Sequence, residues 1–150
     1  MTVARDVEDE RHLDGILHEA WQLAKFASRV VVVPKDPKLT GTIRKRIPPE
    51  FVLGYSVPTR YGGTSIPPTA FEGRVHLLGG RPDVQRVLAE RMDVISVDCN
   101  RFTLDARFGD YFDGKRFRPH PKGGYERCLG DSIRNITKIW EDYNGPRSPA

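Results

Sequence analysis

Cysteine is scarce: the chain has only Cys99 and Cys128. Two thiols cannot build a disulfide scaffold or a four-cysteine zinc site. The four histidines, His12, His18, His76 and His120, show no metal-binding spacing with either thiol. No metal or other cofactor is expected. No run approaches the roughly 18 apolar residues of a membrane span, so no membrane partner is expected. Residues Met1 to Arg11 are mainly acidic and lack the apolar stretch of a secretory signal. The expected compartment is the cytoplasm. No fixed-period repeat and no low-complexity tract is present.

What remains is an ordinary globular composition. At 150 residues, with 38% hydrophobic and 29% charged, the chain is expected to be one folded domain. Lys plus Arg total 24 against 20 for Asp plus Glu, a net charge of +4. That excess permits a nucleic-acid partner without requiring one. Acidic residues crowd the first 20 positions. Basic residues gather at Arg44, Lys45 and Arg46, and again from Lys115 to Arg127.

Periodicity predicts a helix from about Val7 to Ser28, with Leu13, Ile16, Leu17, Ala20, Trp21, Ala24 and Ala27 on one face. Val30 to Val33 then read as a strand buried on both faces. Further strands are expected at 51–55, 74–78 and 94–97. A helix opens at Pro82, where a missing N–H costs nothing. A short helix over 102–108 and a last one from about Tyr125 to Tyr143 complete the set. Residues 35–50, 56–73 and 109–124 read as loops. The expected fold is α/β: a mainly parallel sheet of about four strands with flanking helices. Residues 1–28 are the N-terminal helix, 29–109 the strand–helix core, and 110–150 a basic loop and C-terminal helix.

Parallel sheets bind ligands beyond the carboxyl ends of their strands. Asp98 ends an apolar strand, where a carboxylate serves as nucleophile, general base or helix cap. Gly79-Gly80-Arg81-Pro82-Asp83 joins a strand to a helix. It is either a phosphate-binding turn, with Arg81 as charge partner, or a plain turn. Gly54-Tyr55-Ser56 and the following Arg60 either combine aromatic, hydroxyl and guanidinium groups around a flat polar ligand such as a nucleobase, or belong to a surface loop whose tyrosines pack on the domain. Asn100 lies at the Asp98 strand end. His76, mid-strand among apolar residues, reads as a core or supporting histidine rather than a metal ligand. Cys99 reads as a small buried thiol. Lys115, Arg116, Arg118 and Lys122, interleaved with Phe117, either meet nucleic-acid phosphates or form a solvated loop.

Two segments together carry a resemblance. His76-Leu77-Leu78-Gly79-Gly80-Arg81-Pro82-Asp83 is followed, after a short helix, by Met92-Asp93-Val94-Ile95-Ser96-Val97-Asp98-Cys99. This resembles the late barrel of tRNA-guanine transglycosylases and of related enzymes that place deazaguanine bases in DNA, often encoded by viruses and mobile elements. Those enzymes have a Tyr-Leu-Met-Gly-Val-Gly-Thr-Pro-like strand and turn, then a strand ending in Phe-Asp-Cys. The resemblance covers about Val30 to Gly109. It implies that Asp98 is the nucleophile that attacks the ribose anomeric carbon and expels guanine. Gly54 to Ser56 would face the base, and Gly79-Gly80 the sugar–phosphate side. A complete (β/α)₈ barrel takes about 250 residues, so this chain would supply a half barrel. The family's zinc cysteines and second catalytic Asp have no counterpart here. Asp105, Asp110 and Asp113 are candidate helpers by nearness in sequence alone.

The expected function is nucleobase exchange by N-glycosyl transfer on a guanine-type base in nucleic acid or nucleoside. The alternatives are a non-catalytic nucleotide- or nucleic-acid-binding module, or a subunit completed by a second copy or a partner chain.

Overall fold

A computed structural model describes residues 1–145. The end of the expected 110–150 segment, residues 146–150, lies outside the described residues. The chain opens with a strand, β1 (Thr2–Val7), which the sequence pattern did not mark; the expected helix began at about Val7. Ala4 and Val7 are buried on one side, while Val3 and Arg5 are exposed. The pattern fails there because an edge strand tolerates charge on its open face. Helix α1 (Leu13–Leu23) is therefore shorter than expected at both ends. It buries Leu13, Ile16 and Ala20, one face at three- and four-residue spacing.

β2 (Val30–Pro34) is buried along its whole length, as its continuous valines require. The following segment is not featureless. It contains a 3₁₀ turn and the short helix α2 (Ile43–Arg46), and it buries Leu39, Ile43 and Ile47. Asp36 fastens it by accepting N–H bonds from Glu10 at 2.8 Å and Lys38 at 3.0 Å. The basic triplet splits in use. Arg44 donates to the carbonyls of Glu72 at 2.6 Å and Phe51 at 3.1 Å, tying loop ends together. Its partial burial pushes the guanidinium pKa down.

β3 (Val52–Ser56), β4 (Arg74–Leu78), α3 (Pro82–Leu88) and β5 (Asp93–Val97) follow near their expected positions. α4 (Arg101–Ala106) comes next. The expected loop after it holds a small antiparallel hairpin, β6 (Asp110–Phe112) and β7 (Phe117–Pro119). α5 (Tyr125–Trp140) closes the fold. Tyr143 beyond it accepts the Val94 N–H through its hydroxyl at 3.1 Å.

The main sheet has five strands in the order β1-β2-β3-β4-β5, every pair parallel. The segments that join sequential neighbours pack on one face, the arrangement that right-handed crossovers give. The main core lies there, built from α1, the loop residues Ile47, Phe51, Ile66 and Phe71, and alternate strand residues such as Val32, Leu53, Tyr55, Val75 and Leu77. The opposite face packs strand residues against one another: Val31, Val33 and Val52, with Leu78 and Ile95. A flat sheet would hold β1 and β5 roughly 19 Å apart. Yet the Met1 sulfur, just before β1, lies 3.7 Å from Ser96 Oγ on β5. The sheet is therefore strongly rolled, and its inner face is filled by side chains from its own strands.

Candidate functional site

The carboxyl ends of β4 and β5 meet in one constellation around Asp98. Its N–H donates to Leu77 O at 3.0 Å, which continues the pairing of the two strands by one step. Its side chain is 58% exposed. Oδ1 accepts the Gly79 N–H at 2.6 Å. Oδ2 lies 3.6 Å from His76 Nε2. The other ring nitrogen, Nδ1, is 2.8 Å from Ser96 Oγ. His76 and Ser96 are direct partners in the β4–β5 register. Ser96 on β5 and Asp98 just past its end stand two residues apart in extended chain, which turns both to one face.

Gln85 locks the two turns from beneath. It is fully buried on α3, and its Nε2 donates to Gly79 O at 2.7 Å and Asp98 O at 2.6 Å. Cys99 Sγ donates to Gly80 O at 3.2 Å. Burial pushes the Cys99 thiol pKa up, away from the thiolate a nucleophile needs. Gly80 has φ +83° and lies directly on Val57; a Cβ there would come within 2.5 Å of Val57 Cγ1. The glycine pair thus permits close packing of the turn, and the Gly79 amide serves Asp98 rather than an open anion cradle.

The other sequence candidates divide. Ser56 ends β3 at the same edge of the sheet, partly exposed, and its carbonyl accepts Thr64 N–H at 2.9 Å. Gly54 is covered: a Cβ would meet Val33, Leu78 and Val31 within 2.8 Å, so its backbone faces packed side chains and not a ligand. Tyr55 points into the helix-side core, edge-on to Phe71 at 4.9 Å, and burial pushes its phenol pKa up. Both leave the candidate base-contacting set, because a strand buried on both faces exposes only its end. Arg60 lies over the Tyr61 ring, 4.6 Å from its centroid, at an exposed loop tip. Arg81 is held by Asp83 through two bonds of 3.0 Å, so its charge is already partnered. Asn100 is exposed at the start of α4, where its carbonyl accepts the Thr103 hydroxyl at 2.7 Å.

The candidate helpers are engaged elsewhere or set apart. Asp105 is bound to Arg101 at 2.7 Å. Asp113 caps the hairpin turn, accepting N–H bonds from Lys115 at 2.9 Å and Arg116 at 2.8 Å, and pairs with Arg118 at 3.0 Å. Those amide bonds hold its carboxyl below the usual range. Asp110 begins β6.

Lys115, Arg116, Arg118 and Lys122 are all exposed on or beside the hairpin. The hairpin reaches the site: Arg81 Nη2 lies 3.5 Å from Lys115 O, and the Arg101 guanidinium lies 5.7 Å from the Phe117 ring centroid. The Arg101 pKa is raised chiefly by its hydrogen bond to Asp105.

The residue pattern did not single out Ser96 or Gln85. Ser96 was legible only as the residue two before Asp98, and Gln85 only as a polar residue in a short helix. Among the described residues, no three His, Cys, Asp or Glu side chains are grouped to hold a metal ion. No described helix is long and apolar enough to cross a membrane.

None of the curated proteins and none of the solved structures matches the chain. The model of one family does match, over residues 1–141. Because that match runs from β1 through α5, the chain belongs to DUF6610, a family of unknown function.

Proposed function

We propose that the protein exchanges a guanine-type nucleobase by N-glycosyl transfer, with Asp98 as the nucleophile and a nucleic acid as the substrate. One observation carries this reading. Asp98 is an exposed carboxylate at the carboxyl end of a parallel strand, with Oδ1 fixed by Gly79 N–H and Oδ2 facing solvent 3.6 Å from His76 Nε2. The resemblance of the two strand ends to tRNA-guanine transglycosylases points the same way.

The chemistry follows from that placement. Positive charge builds at the anomeric carbon as the glycosidic bond stretches. Oδ2 attacks that carbon from the face opposite the base. A C–O bond forms, the C–N bond breaks, and its electron pair leaves with the base nitrogen. A second base then reverses the step: its ring nitrogen bonds to the anomeric carbon, the C–O bond to Asp98 breaks, and the N–H proton it loses to water balances the proton that the departed base anion takes from water. The exposed cations of the hairpin, which touches Arg81, support a polymeric substrate over a free nucleoside, since phosphates need several such partners.

The test is mass spectrometry after incubation with guanine-containing DNA, RNA and nucleosides, beside Asp98→Asn. The expected result is base release or a covalent adduct on Asp98, lost by on the order of 10³-fold or more in the variant. A ligand bound unaltered, and equally well by Asp98→Asn, would replace this reading with a binding module.

A subunit completed by a second chain is the other reading that an observation favours. Among the described residues, β1 pairs with β2 alone and β5 with β4 alone, so the rolled sheet is left open between its outer strands. Turnover by a species whose native mass is that of one chain would remove it.

A further inference from the structure

Ser96, His76 and Asp98 stand in line across β4 and β5, on a face otherwise formed by Val31, Val33, Val52, Leu78 and Ile95. The His76 side chain is only 4% exposed. Burying an imidazole is tolerable when its ring nitrogens are satisfied, and the part-buried Ser96 hydroxyl, 2.8 Å from Nδ1, satisfies one of them. A neutral imidazole carries one N–H, and its neighbours decide which nitrogen holds it. A bare Nε2 would set its lone pair against the Asp98 carboxylate. A proton on Nε2 makes that contact attractive and leaves Nδ1 to accept the single Ser96 hydroxyl proton at 2.8 Å, in preference to the weaker acceptor Met1 sulfur at 3.7 Å. Oδ1 is already taken by the Gly79 N–H, so Oδ2 is the oxygen left for chemistry.

The geometry points to His76 as a positioning residue: Ser96 holds it as the Nε2–H tautomer, and that N–H steers Asp98 Oδ2. Its purpose rests on the glycosyl-transfer reading, whereas its state is measurable without turnover. At 3.6 Å the imidazole–carboxylate contact is longer than a hydrogen bond, as catalytic contacts often are before a ligand fills the site. His76 does not donate to the departing base. An in-line attack puts the base on the far side of the anomeric carbon from Oδ2, and His76 lies behind Oδ2.

Long-range ¹H–¹⁵N correlation of the His76 ring in the unliganded, full-length protein tests the assignment. The wild type is expected to show the Nε2–H pattern. Ser96→Ala should move the ring toward a mixture with Nδ1–H, and Ser96→Thr, which keeps the hydroxyl, should restore it. An Nδ1–H ring in the wild type, or a ring unchanged by Ser96→Ala, overturns the proposal. So does covalent labelling of Ser96 by a fluorophosphonate, which would make the serine itself the nucleophile. In the base-exchange assay, Ser96→Ala should lower kcat about 10- to 100-fold with little change in KM. An inactive wild type with the expected tautomer would overturn the glycosyl-transfer reading and support the positioning geometry, so the two can fail separately.

Discussion

Gly54 shows how tightly the inner face of the sheet is filled. The space a Cβ would need is held by Val33 Cγ2 at 2.7 Å, and by Leu78 Cδ1 and Val31 Cγ1 at 2.8 Å. Valines are stiff at χ1, so two of these three neighbours cannot rotate away cheaply. Gly54→Ala is therefore expected to destabilise the fold by about 1–3 kcal/mol through overpacking. Urea unfolding followed by circular dichroism measures this; a variant as stable as the wild type would mean the strands spread at little cost. Gln85 acts at the same scale, since one buried carboxamide secures the carbonyls of both turns that carry the site.

At the scale of elements, α5 and the β6–β7 hairpin hold each other. Phe112 N–H donates to Ser132 Oγ at 2.9 Å, and Asn135 Nδ2 donates to Phe112 O at 2.8 Å. Asp131 on α5 joins His120 Nε2 at 2.8 Å and also meets Arg134. The His120 hydrogen bond, assisted by the Arg134 charge, holds the Asp131 carboxyl below its ordinary value. A depressed carboxylate stabilises the folded chain fully above its unfolded pKa of about 3.9, and that contribution is lost as pH falls through the folded value. The wild-type urea midpoint should therefore drop as the pH is taken from about 5 toward 2. The Asp131→Asn midpoint should drop less over the same range. Parallel acid profiles would show that this contact does not stabilise the fold. The short strands of the hairpin explain why it read as loop: three residues each, with Pro119 ending one and Lys115-Arg116 between them, give no period to detect.

For the molecule as a whole, the rolled sheet sets both stability and the place of the site. β2, β3 and β4 are paired on both sides and covered on both faces, whereas β6 and β7 pair only with each other. Hydrogen exchange should be slowest at Val31–Val33, Leu53–Tyr55 and Val75–Leu77, near the limit of global opening. The hairpin amides should exchange faster through partial opening. Equal protection in both regions would make hairpin, α5 and sheet one cooperative unit.

Continuous valines, the Gly79-Gly80-Arg81-Pro82 junction and the apolar stripes of α1 and α5 determined the α/β class and most strand positions from sequence alone. They did so because burial on two faces or one leaves a local periodic record. Asp98 was likewise marked by its place at the end of an apolar strand. Tertiary structure alone decided that Thr2–Val7 is a strand, since its partner Val30–Pro34 lies far along the chain. It also decided that Gly54 and Tyr55 are buried, and that Asp105 and Asp113 serve Arg101 and the hairpin. Above all, it brought His76, Ser96 and Gln85 to Asp98. Those contacts depend on the register of β4 against β5 and on the packing of α3, which no local pattern encodes.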